Sequence, residues 1–396
     1  MKIAKLETFI LGTAWRNLIF VQLTTDDGLT GLGEASMTNF EDSVLGYLRS
    51  VSDKYVIGSD PFDIEDLWLR MFRNDFWRGG PIALTGISAI EIACWDIVGK
   101  ALGVPCWKLL GGKTRDRLKA YANGWYQVER TPDAFAAATK KVLARGYKGF
   151  KLDPFGAGDY ELSRDERLRS IAIVEAVRDA VGPEIEIMIE MHGRFSPATA
   201  ARIAHELEPF DPTWVEEPVP PENAAELRRA AEQIRVPVAT GERCFTRYGF
   251  KEILQYGGPD VIQPDIIHCG GMLELKKIAA MADAYFVTVA PHNSQGPVCT
   301  AASVHVDFTL TNFKVQECFD DFVEPFIKQA TPGVPEVNAD GYFELPQAPG
   351  LGVALDHDVL AAHPRRDVHF NLWAVDWQFR QAGMDPARHG ETRQGQ

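Results

Sequence analysis

The chain has 396 residues, 45% of them apolar and 24% charged, with ordinary Gly and Pro content. This is enough to bury one large core or two smaller ones, and it excludes disordered and fibrous classes. A formal charge of −14 argues against nucleic acid or an anionic membrane as partner, and an anionic ligand must then be held by local cations.

The N-terminal MKIAKLETFI alternates like a strand and lacks the apolar core of a signal peptide. No apolar run is expected to reach the ~20 residues of a membrane span. The cysteines, Cys94, Cys106, Cys244, Cys269, Cys299 and Cys318, have no metal-type spacing and read as buried thiols of a reduced, cytoplasmic protein.

Residues 1–113 are expected to form an α+β capping domain. KIAKLETFIL, NLIFVQLTTDDG and GLTGLGEASM predict an antiparallel meander with a tight turn at DDG, followed by helices over EDSVLGYLRSVSDKY, PFDIEDLWLRMFRNDFW and GISAIEIACWDIVGKALG. LLGG reads as a linker. From 114 to 345 the pattern changes. Eight β-rich runs, RLKAYANG, GFKLDPF, EIMIEM, TWVEEP, VPVATGE, DVIQPD, YFVTVAPH and FKVQEC, alternate with seven amphipathic helical stretches. Strict alternation implies parallel strands with right-handed crossovers, and eight of them close into a (β/α)7β-type TIM barrel. Residues 346–396 read as a loop-rich C-terminal segment returning to the cap, with a frayed end at ARHGETRQGQ.

The barrel strands share one ending. Glu190, Glu216, Glu242, Asp265, His292 and Glu317 each close a β-rich run, about one strand-plus-helix unit after the last. A single ionisable residue there means only that a strand has met water. Six in succession place a site at the C-terminal mouth, where barrel active sites lie. Glu190, Glu216 and Glu242 would converge on one volume. At ~4 Å and an effective dielectric of ~20 each pair repels by about 4 kcal/mol. Three pairs rival the roughly 5–15 kcal/mol stability of a whole domain. The cluster must be protonated, splayed or holding a cation, and all-oxygen ligation favours Mg²⁺ or Mn²⁺ over zinc. His192, two residues beyond Glu190, would share its side of the strand.

The runs AIEIACWDIVGKALGVP, GFKLDPF, MIEMHGRF, WVEEPV, ATGERCF, VIQPDIIHCGG, APHNSQGPV and PGLGV together resemble the mandelate racemase branch of the enolase superfamily over nearly the whole chain. The E-x-H pair at Glu190 and His192 resembles galactonate- and gluconate-type acid-sugar dehydratases. The resemblance implies Mg²⁺ held by Glu190, Glu216 and Glu242, with Glu190 standing where many relatives have Asp. It implies a His292–Asp265 dyad as general base, and His192 as the acid for a departing 3-hydroxyl. Lys151 would stabilise charge on the substrate carboxylate, and Glu317 would hydrogen-bond that carboxylate. Asp153 replaces the second Lys of the racemases, which disfavours racemisation and leaves it to orient Lys151 or contact a sugar hydroxyl.

Distal substrate recognition is assigned to Trp15, Arg16, Trp77, Arg78, Asn123 and Trp125, with packing between cap and barrel as the ordinary alternative for each. His268 is read as packing. The implied reaction is dehydration of an aldonate such as D-gluconate or D-galactonate to a 2-keto-3-deoxy acid. A diacid sugar, epimerisation, or a non-catalytic sugar-acid-binding barrel are the alternatives. A homo-oligomer is expected by the same resemblance.

Overall fold

A computed structural model describes residues 1–374 and 376–380, so the end at 387–396 lies outside the described residues. The cap begins with β1 (Ile3–Gly12), β2 (Asn17–Thr25) and β3 (Thr30–Glu34), an antiparallel meander as the alternation predicts. Gly28, at φ 88°, makes the turn out of β2. Helices α1 (Glu41–Val51), α2 (Ile64–Arg73) and α3 (Gly80–Leu102) follow.

α3 starts earlier than its apolar periodicity suggests and closes on Gly103, a left-handed C-cap. Contrary to the sequence reading, its 23 residues are long and apolar enough to cross a membrane by length and composition, yet its most apolar window is 89% buried inside the protein. It is the cap's central helix. The meander approaches it so closely that a Cβ on Gly33 would fall 1.9 Å from the Ala89 carbonyl oxygen.

After the short α4 (Cys106–Leu109) the barrel alternates without interruption. It runs β4 (Arg117–Ala122), α5 (Pro132–Ala144), β5 (Gly149–Leu152), α6 (Arg164–Val181), β6 (Glu186–Glu190), α7 (Pro197–Leu207), β7 (Trp214–Glu216) and α8 (Ala224–Ala231). It continues with β8 (Val238–Thr240), α9 (Thr246–Tyr256), β9 (Val261–Ile262), α10 (Met272–Asp283), β10 (Thr288–Val289), α11 (Pro297–Asp307) and β11 (Gln316–Cys318). Each strand pairs in parallel with the next, and β11 returns to β4. A parallel bridge between Val289 and Phe313 joins β10 to the approach of β11, so the sheet closes on itself. Tyr121, Met188, Trp214, Ala239, Val261, Ala290 and Val315 fill the interior as one apolar cluster and floor the mouth above them.

The remaining chain carries α12 (Phe326–Gln329), β12 (Tyr342–Glu344), antiparallel to β4, and α13 (His357–Ala362). It then ties the two domains together. The Gly12 amide donates to the His363 carbonyl at 2.9 Å. The Asn39 side chain and the Phe370 backbone exchange two hydrogen bonds. Trp377 Nε1 donates to the Gly156 carbonyl at 3.1 Å.

Candidate active site

Glu190 and Glu216 are the last residues of β6 and β7 and lie in register with each other. Glu242 follows β8 by two residues, and one oxygen from each of the three lies within 4.8 Å of the others. Lys151, in β5 and only 2% exposed, sits among them. Its Nζ is 2.5 Å from Glu216 Oε1, 3.1 Å from Glu317 Oε1 and 3.3 Å from Glu190 Oε2. The last contact lacks hydrogen-bond geometry, so Glu190 Oε2 is buried without a donor among the described residues. Burial and then Glu190 push Glu216 up to about 7, against the pull of Lys151. One ammonium does not satisfy this many acids. A donorless buried oxygen and a converging all-carboxylate set fit a hard divalent cation.

Two His–Asp pairs flank the cluster. His292 Nδ1 lies 2.7 Å from Asp265 Oδ2, which fixes the tautomer and leaves Nε2 toward the cavity, 3.2 Å from Glu242 Oε2. Burial opposes the charged imidazole, but Glu242, Glu317 and Asp265 together raise its pKa to about 10. His192 Nδ1 lies 2.5 Å from Asp153 Oδ2. Here too burial works against the charged form, and Glu190 and Asp153 outweigh it. Since β6 and β10 stand opposite each other in the eight-strand ring, the two imidazoles enter the mouth from opposite sides.

His192 does not reach the mouth by strand alternation, however. β6 has ended, and His192 stands at φ 48° with its amide donating to Glu190 Oε1 at 2.6 Å. A left-handed turn aims the ring. Glu217, just past β7 and at φ 41°, likewise turns by its backbone, here away from the mouth and into an ion pair with Arg243 at 2.6 Å.

Above the cluster lies a cavity of about 220 Å³ whose walls include Lys151, Glu190, His192, Glu242 and His292. Trp15 and Arg16 reach it from the cap and Asn123 from the end of β4. Arg16 donates to the carbonyls of Ser294 and Gln295 at 2.5 and 3.0 Å, and Asn123 donates to Glu317 Oε1 at 2.8 Å.

Other expected positions differ. Trp77 is 89% exposed, and Arg78 folds back to donate to the Phe72 and Arg73 carbonyls, where it serves the end of α2. Neither lines the cavity. Trp125 is wholly buried, with its indole donating to the Lys151 carbonyl at 2.8 Å, so it backs β5 and is sealed from any ligand. Asp153 is equally buried and saturated by His192, Arg194 and the Phe155 amide. It therefore positions His192, and neither Lys151 nor a sugar hydroxyl is among its partners. Glu317 stands behind Lys151 and Asn123, and those two carry its influence forward. His268 accepts or donates at Thr85 Oγ1 (2.8 Å) and so packs cap against barrel.

The sequence reading missed the C-terminal wall, where Phe370, Leu372, Trp377 and Arg380 line the cavity beside Tyr126 and Phe319. Trp377 meets the His192 ring edge-on at 5.6 Å. The aromatic density of NLWAVDWQFR, in an otherwise loop-rich tail, was the available signal.

A capped, closed parallel barrel with converging acids and two His–Asp pairs at its C-terminal mouth defines a class of carboxylate-handling enzymes. The chain belongs to the mandelate racemase branch of the enolase superfamily. "Mandelate racemase / muconate lactonizing enzyme, N-terminal domain" matches residues 8–111, and "Enolase C-terminal domain-like" matches residues 134–359. D-galactonate dehydratase of Ralstonia pickettii is 38% identical over 392 residues, covering 96% of each chain. That of Cronobacter sakazakii is 39% identical, covering 91% of this chain and 94% of its own. Among solved structures, a mandelate racemase/muconate lactonizing enzyme-like protein from a Roseovarius species superposes with TM-score 0.87 at 34% identity, covering 92% of this chain and 96% of that one.

Proposed function

We propose that the chain dehydrates a sugar acid to a 2-keto-3-deoxy acid. The observation that carries the reading is the pairing of two cavity-facing imidazoles, each oriented by its own aspartate, across a cluster of three acids. A β-elimination needs a base on one side and an acid on the other. The relatives named D-galactonate dehydratase support sugar-acid dehydration in particular.

Glu190, Glu216 and Glu242 would hold Mg²⁺ or Mn²⁺, which supplies positive charge against the substrate carboxylate and the negative charge that develops on it. His292 Nε2 takes the proton from C2. A Glu242 carboxylate holding a cation would pull less on the imidazole's pKa, so that His292, oriented by Asp265, would accept that proton more readily. Lys151 faces the carboxylate and stabilises the enediolate, held in place by Glu317 behind it. His192, oriented by Asp153 through Nδ1, gives its proton to the C3 hydroxyl, which leaves as water. The proton from C2 and the hydroxyl from C3 account for the water lost, and the enol tautomerises to the keto acid. Trp15, Arg16 and Asn123 face the remainder of the sugar.

The test is His292→Asn with Mg²⁺ and a panel of aldonates. A kcat loss of about 10²–10⁴ is expected, and undiminished keto-acid formation would remove His292 from the role of base.

A further inference from the structure

One wall of the cavity holds a cation with no counter-charge in contact among the described residues. Arg380 is 6% exposed and lines the cavity, yet its Nη1 has no hydrogen-bond partner among the described residues and it forms no ion pair with them. Its guanidinium instead lies in an aromatic box, 4.7 Å from the Phe319 ring, 5.5 Å from Tyr126, 5.7 Å from Trp15 and 5.9 Å from Trp377. The rings fix its plane and offer weak attraction, and the Tyr126 hydroxyl engages the guanidinium, which still leaves Nη1 without an acceptor. A second guanidinium, Arg16, sits close enough to repel it and is itself bonded to two carbonyls. Glu317 and Asp153 act on Arg380 without touching it. The cavity lining carries Glu190, Glu242 and Lys151 together with two arginines, of which Arg16 also feels Glu34, Asp320 and Glu324.

A buried donor without an acceptor is destabilising. A neutral hydroxymethyl end would satisfy the hydrogen bond and leave the charge unmet. A carboxylate would answer both, because a guanidinium fork matches two carboxylate oxygens.

We infer that Arg380 recognises the far end of the substrate and that the group it recognises is anionic, so that the site takes sugar diacids in preference to the corresponding monoacids. The inference rests on the sugar-acid dehydration proposed above. The chemistry at C2 and C3 is unchanged by it. The proton from C2 and the hydroxyl from C3 still leave as water, and the product is a 2-keto-3-deoxy diacid.

Matched substrates test this, an aldonate and the aldarate that differs from it only in a carboxylate at C6. Wild-type enzyme with Mg²⁺ is expected to show the higher kcat/KM on the diacid. Arg380→Met, which keeps length and apolar contact with the rings, should lower kcat/KM for the diacid at least tenfold, mainly through KM, while the monoacid changes by less than threefold. Arg380→Lys should recover part of the diacid preference, since it restores charge without the fork.

Equal losses on both substrates in Arg380→Met would show that Arg380 only clamps the C-terminal segment, and a wild-type preference for the monoacid would equally overturn the inference. Calorimetric binding of the same pair to wild type and Arg380→Met reads the preference without turnover. If no sugar acid is dehydrated, the proposed function fails and the binding comparison still judges Arg380.

Discussion

His305 shows how much one buried side chain can decide. It is fully buried in α11, where Nδ1 lies 3.3 Å from the Trp107 amide and Nε2 lies 3.2 Å from the Leu351 carbonyl. Only the neutral Nε2–H tautomer satisfies both. Burial lowers its pKa to about 4, with the Leu351 bond opposing. The unfolded chain takes up this proton below the usual histidine value of about 6.5, whereas the folded chain resists until near 4. The contribution to stability is therefore complete above 6.5 and is lost as pH falls, reaching about 3 kcal/mol by pH 4. Urea unfolding of wild type and His305→Gln between pH 4 and 6.5 checks this, and the difference between their stabilities should narrow with acid. Parallel curves would mean that His305 does not titrate in that window.

The same scale shows what residue types could disclose. The six ionisable run-ends were legible because barrel topology turns spacing into convergence. The route of His192 was not, because a two-residue alternation rule cannot see a strand that stops at Glu190 and a backbone that turns to φ 48°. Nor could residue type tell that Arg78 spends its donors on the carbonyls of α2, since Trp and Arg on a cap loop read alike whether they face in or out.

Among elements, α3 bears the most consequence. It packs on β3 through Gly33, its Glu91 caps α10 by accepting from the Met272 and Leu273 amides at 2.8 and 3.0 Å, and its Asp96 accepts from the Leu351 amide at 2.8 Å. One helix thus joins the meander, a barrel helix and the returning segment. Its apolar periodicity was readable, while its contact with Gly33 was not, because close approach between two elements leaves no local trace. Gly33→Ala would place a methyl group against the Ala89 backbone, which cannot retreat without moving the helix. A loss of about 1–3 kcal/mol is expected, seen as a lower urea midpoint. An unchanged midpoint would show that β3 and α3 can separate freely.

For the molecule as a whole, the acids of the mouth set a stability cost that the proposed cation would relieve. A ligand that binds only the folded chain stabilises it by about 2.7 kcal/mol at a hundredfold excess over Kd. Mg²⁺ or Mn²⁺ should raise Tm in wild type and raise it much less in Glu216→Gln, which removes one of the converging charges. A wild-type Tm indifferent to both ions at millimolar concentration would sink the divalent-cation reading. The eight-strand alternation and the returning tail were clear from pattern. The tail's part in the cavity was hidden, because no periodicity predicts where loops of residues 364–380 come to rest.

That placement has a consequence for synthesis. A ribosome completes every barrel strand by Cys318, well before Trp377 and Arg380 emerge. A nascent chain can therefore assemble cap, barrel and acids while the far wall is still in the exit tunnel. Its mouth would stand open to bulk solvent until Phe370, Trp377 and Arg380 had followed and closed that wall.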